Sequence, residues 1–317
     1  MNAILRLGLS RLLMALGTLL LVSAIIFFAV EVLPGDIPRR ILGREATPEA
    51  LAMMRAKLNL DAPAIQRYAL WLGGMLQGNF GHSLLTKNTV IDILRPRLFN
   101  TLMLSLVAFA LYIPLSIVPA LIQAVRRDGR VDQAISIVTV LILSTPDFLL
   151  ATLMLLCFAM LIPVLPPISL VDSGSNFADY ARAIVLPAVT LALLMATYGV
   201  RMLRDNLIEV LDSDYVRMAE LKGLSRTRVL LRHALPNALV PTLNVTALNL
   251  AYLIGGVVIV ERVFSYPGFG SLLVDVLQLR DVPMVEATVL IAATVYIVAN
   301  LVADIGAILL NPRLRQG

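Results

Sequence analysis

The residues able to do chemistry are few in this chain and lie far apart. There is one cysteine, Cys157, and there are two histidines, His82 and His233. No HExxH or CxxC pattern occurs, and no Gly-Lys dipeptide, which excludes the G-x-x-x-x-G-K-[ST] loop that holds nucleotide phosphates. Catalysis and metal binding both need clustered groups, so the sequence favours neither. Cys157 is expected to be a small packing residue.

The densest polar stretch in the second half of the chain is residues 201–236, which hold seven basic and five acidic residues. Asp212, Ser213 and Asp214 are candidate caps for a short helix over the sequence YVRMAELK. Gly223 follows at the position where a helix ends in a left-handed residue. The pattern predicts a helix of about two and a half turns, at ~3.6 residues per turn.

A second short helix is expected to begin at Ser225 and to end at Pro236. On the first helix, Asp214 and Arg217 have the spacing of an ion pair. One face of this helix carries a stripe formed by Tyr215, Met218 and either Leu221 or Lys222. A helix this short is marginal in water and must be held by something. It either lies solvated at the lipid headgroups or docks into another protein.

The composition surrounding this segment is that of a membrane protein. Of 317 residues, 59% are hydrophobic and 15% charged, with a mean hydropathy of +0.86, which excludes an ordinary soluble globule. Six apolar runs are long enough to cross a ~30 Å hydrocarbon layer, and because they do not alternate they predict helices rather than barrel strands. The fold class is all-α with six transmembrane helices, predicted at 12–33, 100–125, 135–162, 183–203, 238–260 and 285–310.

The distribution of lysine and arginine gives the orientation. Apart from the long segment 34–99, fourteen basic residues fall on one side of the six spans and three on the other. The positive-inside rule then places both termini in the cytoplasm and segment 34–99 outside, in the periplasm. The net charge of +5 therefore reflects topology rather than nucleic-acid binding.

Ionisable and amide residues inside the spans are candidates for a polar path. Glu31 and Asp304 lie near span ends and are expected to have capping or interfacial roles. Asp147 follows Pro146 midway along the third span, where it either faces a polar cavity or a neighbouring helix, or is packed at a kink. The candidate translocation residues are Asp147, Tyr198, Asn244 and Asn249.

Several motifs of the chain resemble those of a known family. Ala219, Gly223, Leu235 and Pro236 match the EAA loop of ABC-importer permeases. In order and spacing the whole chain resembles the first permease subunit of the dipeptide, oligopeptide, nickel and glutathione branch. The matching stretches are LPGD, LNLDAPAIQRYALWLGGMLQGNFGHSL, DYVRMAELKGLS, RHALPNALVP, VVIVERVFSYPGFGSLL and NPRLR. Arg217 and Met218 depart from the general motif, which has Glu and Ala there.

The resemblance implies the fold of a type I ABC-importer permease and a role for the polar segment. In this family the loop forms a coupling helix that sits in a cleft of a cytoplasmic ATPase. The residues expected to couple to the ATPase are Asp214, Tyr215, Arg217, Met218, Ala219, Lys222, Gly223, Leu224, Leu235 and Pro236. No catalytic residue, cofactor or metal site is expected in this chain, because ATP and magnesium are bound by the partner ATPases.

The implied partners are a second, related permease, one or two ATPase subunits, an extracytoplasmic substrate-binding protein and the lipid of the bacterial inner membrane, with no nucleic acid. The expected layout is a tail and first span (1–33), an external segment (34–99), a five-helix core (100–310) containing the coupling loop (204–237), and a tail (311–317). The expected substrates are dipeptides or short oligopeptides. Nickel chelates, glutathione and opines stay as alternatives, as does a secondary transporter.

Overall fold

The computed structural model describes residues 3–32, 38, 46–57, 61–169 and 176–310; the side chains of 3–9, 32, 57, 243–245, 247–252, 254–255 and 302–310 are outside the description. These ranges contain helices and no β-strand. The long helices are α1 (Ala3–Val32), α4 (Val90–Val125), α7 (Phe177–Leu211), α10 (Leu235–Val263) and α12 (Val282–Leu310). The shorter ones are α2 (Pro48–Lys57), α3 (Ala64–Leu76), α5 (Arg130–Ser144), α6 (Asp147–Leu155), α8 (Asp214–Leu221), α9 (Arg226–Arg228) and α11 (Phe269–Leu279).

The all-α fold class is confirmed. Among the described residues, four helices are long and apolar enough to cross a membrane, through Ser10–Glu31, Val90–Val125, Phe177–Leu211 and Val282–Leu301. Each overlaps a predicted span. The fifth predicted span falls on α10, but because many of its side chains lie outside the described residues this span stays a prediction. The count of six spans and the side of each terminus also stay predictions.

The third predicted span, 135–162, is not one helix. The chain bends by 111° between α5 and the helical stretch Asp147–Leu161. Thr145 is extended, with φ −92° and ψ 129°, as expected for a residue whose α conformation is blocked by the following proline. The bend predicted at Pro146 is therefore present, but as a break between two helices, and Asp147 is the first residue of α6 rather than a residue inside one kinked helix. The wide turn Leu156–Leu161 ends this stretch.

The described chain divides into two compact units, of which the first comprises Met1–Arg97 and Leu272–Val298. There α1 packs on α3 through aromatic rings, with the centroids of Phe27 and Trp71 5.6 Å apart. The hydroxyls of Ser23 and Tyr68 are 2.7 Å apart, and Arg67 of α3 forms an ion pair with Glu31 of α1. Glu31 thus has an ion-pair partner at the end of its span.

The second unit comprises Leu98–Ser271 and Ala299–Gly317, and α7 is its central helix. In α7, 78% of the most apolar stretch is buried, against 17–28% in the other three candidate spans. Gly199 of α7 permits a close helix crossing, because a Cβ there would lie 2.7 Å from the Ser116 hydroxyl of α4. The core contains Leu104, Ala108, Leu191, Met195, Val257 and Val260.

The helix α7 also runs further than its predicted span. It continues to Leu211, beyond the predicted limit of 203, so the first part of the polar segment 201–236 is helical rather than a loop. At ~1.5 Å per residue its 35 residues are longer than a ~30 Å layer requires.

Candidate functional site

The predicted short helix of the polar segment is present as α8, Asp214–Leu221. Ser213 is its N-cap residue, with an extended backbone at φ −77° and ψ 150°. The Ser213 hydroxyl makes no capping bond, however, and donates to the carbonyl of Val210 instead. Asp214 supplies a carboxylate in the first turn, where the positive end of the helix dipole favours it.

The helix ends at Gly223 in the left-handed conformation predicted for it. Gly223 has φ +79°. Its N–H donates to the carbonyl of Glu220 at 2.9 Å, and the N–H of Leu224 donates to the carbonyl of Ala219 at 3.3 Å. These two bonds form a Schellman motif, which normally requires glycine because a side chain is strained at positive φ. Among described atoms, none lies within 4 Å of where a Cβ would be, so the constraint is conformational rather than steric.

Helix α8 has two distinct faces. Val216 (1% exposed) and Ala219 (8%) are buried against Val229 of the following turn, with Leu224 packed at the edge. Beside this buried face, the exposed fractions are 46% for Tyr215, 53% for Met218 and 76% for Leu221. Part of the predicted coupling set, Ala219 and Leu224, therefore faces the chain itself. The apolar row Tyr215, Met218 and Leu221, called the outer row below, remains exposed in part, although the Tyr215 hydroxyl also contacts the following chain.

Tyr215 also anchors the helix to the chain that follows. Its hydroxyl accepts a hydrogen bond from the amide Nδ2 of Asn237 at 3.0 Å and donates to the carbonyl of His233 at 3.3 Å. Asn237 Nδ2 itself donates to the His233 carbonyl at 2.8 Å. The sequence alone gave no sign of Asn237, because its contact depends on how the two helices fold together.

The helix expected to end at Pro236 does not end there. After the N-cap residue Ser225, α9 passes into a wide turn at Val229–Ala234 and then directly into α10, with Pro236 in its first turn. A proline removes a donor and collides with the carbonyl four residues earlier, and the widened turn relieves both problems. Leu235 is half-buried beside Ala234 and Ala238, whereas Pro236 is exposed.

The charged residues of α8 point outward. Asp214, Arg217 and Lys222 are exposed. The ion pair suggested for Asp214 and Arg217 is absent from the described part of the chain, since no contact within 4 Å joins them. Their charges are thus free to meet a partner, in the company of the outer row.

A partly buried ion pair that the sequence did not reveal supports this region from within. Arg204 of α7 donates from Nε and from an NH2 group to the two carboxylate oxygens of Asp132 in α5, at 2.8 and 2.7 Å. Gln123 of α4 donates to the same carboxylate at 2.9 Å. A second pair, Arg127 with Asp212, joins the neighbouring loops at 2.9 Å. The cluster joins three helices just before α8.

The candidate translocation residues lie in different surroundings, and their role stays a prediction. Tyr198 is 53% exposed although most of its neighbours on α7 are buried, so its ring lies on an open face of the central helix. Asp147 is half-buried in the first turn of α6. The side chains of Asn244, Asn249 and Asp304 lie outside the described residues. The four candidates are therefore not shown to share one path.

In the described part of the chain, no group of three or more His, Cys, Asp or Glu side chains is placed to hold a metal ion. Cys157 is an exposed free cysteine, which differs from the packing role expected for it.

These features define a class before any comparison: a helical membrane protein that presents a short, anchored helix with an apolar outer row. Residues 112–316 match the family described as "Binding-protein-dependent transport system inner membrane component", and residues 4–105 match its amino-terminal companion, "Binding-prot-dependent transport system membrane comp, N-term". The chain belongs to this family. It is an inner-membrane permease subunit of an ABC importer, as its motifs predicted.

Similarity to curated relatives extends over nearly the whole chain. A putative peptide transport system permease protein of Brucella abortus (strain 2308) is 35% identical over 307 residues, covering 97% of this chain and 98% of the relative. The glutathione transport system permease protein GsiC of Escherichia coli (strain K12) is 33% identical over 305 residues, covering 96% and 97%.

Proposed function

We propose that this subunit imports short peptides, and that α8 is the helix through which a cytoplasmic ATPase drives it. The substrate class is supported by relatives whose names specify peptide and glutathione transport, and glutathione is itself a small peptide. Glutathione is therefore the second candidate. Nickel chelates and opines enter through permeases with similar loops, but no residue described above favours them.

The observation that carries the coupling role is the outer row. Met218 and Leu221 stay exposed, and the ring of Tyr215 stays exposed in part, on a helix that Val216, Ala219 and the Tyr215 hydroxyl already anchor to the chain. An amphipathic helix fixed to the chain in this way can transmit a movement of the ATPase to the membrane helices. A loosely attached helix would move without displacing them. Buried aromatic and methionine anchors with charged neighbours are typical of protein interfaces.

The division of labour follows from the family. The chain has no phosphate-binding loop, so the ATP and magnesium chemistry belongs to separate ATPase subunits. A second, related permease completes the pathway, and an external binding protein delivers the substrate. In this arrangement residues 34–99 lie outside, residues 204–237 reach the ATPase, and residues 100–310 form the membrane core.

The test is ATP hydrolysis by the complete reconstituted complex, stimulated by binding protein loaded separately with dialanine, trialanine or glutathione. We expect a peptide-loaded protein to stimulate hydrolysis and to support uptake of the same ligand. Stimulation by glutathione alone would favour the second candidate. Stimulation by none of the three, with an active ATPase, would contradict the proposed substrate class.

A further inference from the structure

A buried carboxylate joins three segments at the far end of α10. Glu261 is fully buried and lies two residues before α10 ends at Val263. Its Oε1 accepts a hydrogen bond from the hydroxyl of Thr101 in α4, and its Oε2 accepts one from the N–H of Ser271 at 2.9 Å. The Thr101 hydroxyl in turn accepts the N–H of Phe269, the first residue of α11, at 2.7 Å. We call these four residues the Glu261 cluster.

The cluster completes the amino terminus of α11. The first N–H groups of a helix have no partner within the helix, and a carboxylate there is favoured by the helix dipole. Thr101 and Glu261 satisfy two of these donors from two other helices. The beginning of α11 is thereby held to α4 and α10 together.

A second set of bonds surrounds the first. Asn100 Nδ2 donates to the carbonyl of Pro267 at 2.9 Å, and the hydroxyl of Tyr266 donates to the carbonyl of Asn100 at 2.9 Å. Burial raises the pKa of the Tyr266 hydroxyl above its usual range, so the hydroxyl keeps the proton it donates. The Ser271 hydroxyl donates to the carbonyls of Tyr266 and Gly268, at 3.1 and 2.9 Å. The loop between α10 and α11 is thus fixed on both sides.

Two glycines show how closely the backbone is pressed onto the carboxylate. A Cβ at Gly268 would lie 1.9 Å from Glu261 Oε1, and one at Gly270 would lie 2.8 Å from the Cα of Val258. Contacts under about 3 Å essentially never occur for real Cβ atoms. Gly268 therefore cannot carry a side chain while Glu261 stays in place.

The position of the cluster relative to α8 suggests more than a local brace. The polar segment enters α10 at Leu235 without a break, and Glu261 lies 26 positions further along the same helix. At ~1.5 Å per residue the two are about 40 Å apart, comparable to the thickness of a bilayer with its headgroups. A continuous helix with a fixed attachment at each end connects the two directly.

A buried polar group is also an expensive way to hold helices together. Burying a carboxylate is unfavourable unless its oxygens are satisfied, and apolar side chains could brace the same helices at lower cost. A carboxylate with directional donors instead specifies one arrangement, which suits an element that switches between discrete states rather than deforming gradually.

We propose that Glu261 is a positioning residue for transport, holding the first turn of α11 on α4 and α10 so that these ends move as one body when substrate arrives. By the predicted topology this end of α10 is external. The inference rests on the proposed function, since it concerns the same importer. When Glu261 is removed, the complex still hydrolyses ATP at its basal rate but no longer responds to loaded binding protein.

The experiment measures basal and stimulated ATP hydrolysis in the complete complex, with the binding protein loaded with whichever of dialanine, trialanine and glutathione stimulates the wild type. The variants are Glu261→Ala, Glu261→Gln, Gly268→Ala and the double variant Glu261→Ala with Gly268→Ala. We expect Glu261→Ala to lower the ratio of stimulated to basal rate roughly tenfold, equivalent to about 1.4 kcal/mol. A hydrogen bond typically contributes on that order. The KM for ATP should not change.

The other variants separate positioning from folding. Glu261→Gln keeps an acceptor for Ser271 and a polar group for Thr101, so it should retain most of the stimulation. Gly268→Ala should resemble Glu261→Ala, because the new methyl group displaces the carboxylate. The double variant should have the same stimulation ratio as Glu261→Ala alone, because the space that the new methyl group needs is then free. Such non-additivity indicates direct contact between the two positions.

The outcomes are distinguishable. A wild-type ratio in Glu261→Ala would overturn the inference while leaving the proposed function intact. If Glu261→Ala reduces complex yield, Thr101→Val is measured beside Thr101→Ser at matched yield, and equal wild-type ratios in both would also overturn it. A wild-type complex that no binding protein stimulates would contradict the proposed function, and this inference with it.

Discussion

Gly223 has a role that depends on backbone conformation alone. Its φ of +79° costs a residue with a side chain about 1–2 kcal/mol, and no described neighbour obstructs the added atoms. We expect Gly223→Val to misalign α8 and lower both uptake and ATPase retention, with normal membrane abundance. Gly223→Asn is the matched control, because asparagine tolerates the left-handed region. Co-purification of the ATPase and ligand uptake are measured at equal subunit levels.

If both Gly223 variants kept full retention and uptake, α8 would not be the coupling helix. A loop lying solvated at the headgroups would tolerate both substitutions within about 0.5 kcal/mol.

Met218 and Ala219 are adjacent in sequence, but Met218 is exposed and Ala219 is buried, so one substitution at each distinguishes docking from folding. We expect Met218→Glu to leave abundance unchanged and to reduce ATPase retention, because a carboxylate would be desolvated in the partner's cleft. Ala219→Glu should instead reduce abundance, because Ala219 is buried against Val216 and Val229. Quantitative blotting of membranes, followed by pull-down of the ATPase, gives both values.

Glu220→Gln, at an exposed polar position of the same helix, is the control for surface changes. Normal retention with Met218→Glu would remove the outer row from the interface.

At the scale of elements, the substitution that we expect to lower the free energy of unfolding most is at Arg204. Its two donors bind both oxygens of Asp132, whose side chain is only 4% exposed. Removing one partner of such a pair strands a buried charge and costs about 3 kcal/mol. We expect Arg204→Met to lower the thermal denaturation midpoint of the purified complex strongly. Arg204→Lys should lower the midpoint somewhat less than Arg204→Met but should not restore it, because an ammonium cannot form the paired bonds.

Arg201→Met is the matched control, one turn earlier on α7, because Arg201 is exposed and has no ion pair in the described residues. It should change stability by less than about 0.5 kcal/mol. Equal effects at both positions would show that the pair with Asp132 contributes nothing specific.

The elements that the sequence could predict are those with local signals. The helix α8 and the cap at Gly223 follow from capping residues and a glycine within ten positions of one another. Pro146 signalled an interruption, but not one of 111°, because the angle depends on what the following helix packs against. Helical spacing likewise showed that Ala219 and Met218 lie on different faces, without showing which face is buried.

The pairs that hold the site together could not be predicted because they join distant positions. Asp132 and Arg204 are separated by 72 residues, and Thr101 and Glu261 by 160. Neither pair has a characteristic spacing, and each residue alone looks like an ordinary charge or hydroxyl near a span end. Only the three-dimensional arrangement reveals their contacts.

At the scale of the whole molecule, the ends of α10 connect the two proposals. One end continues from the polar segment and the other carries the Glu261 cluster, all within the second compact unit. A substitution at either end should therefore uncouple transport from ATP hydrolysis, but with different signatures. Gly223→Val releases the ATPase from the complex, whereas Glu261→Ala leaves it bound and unresponsive.

The membrane topology is the remaining prediction for the whole chain, and both proposals depend on it. Fourteen basic residues against three, counted outside segment 34–99, favour cytoplasmic termini. We expect reporter fusions after Asp128 and after Leu224 to be cytoplasmic, and fusions after Gly73 and after Gly174 to be external. Paired alkaline phosphatase and fluorescent protein fusions at each position measure this, since one is active only outside and the other only inside. A cytoplasmic reporter at Gly73 would contradict the orientation and move the Glu261 cluster away from the binding protein. A reversed signal at Leu224 would remove α8 from the reach of any cytoplasmic ATPase.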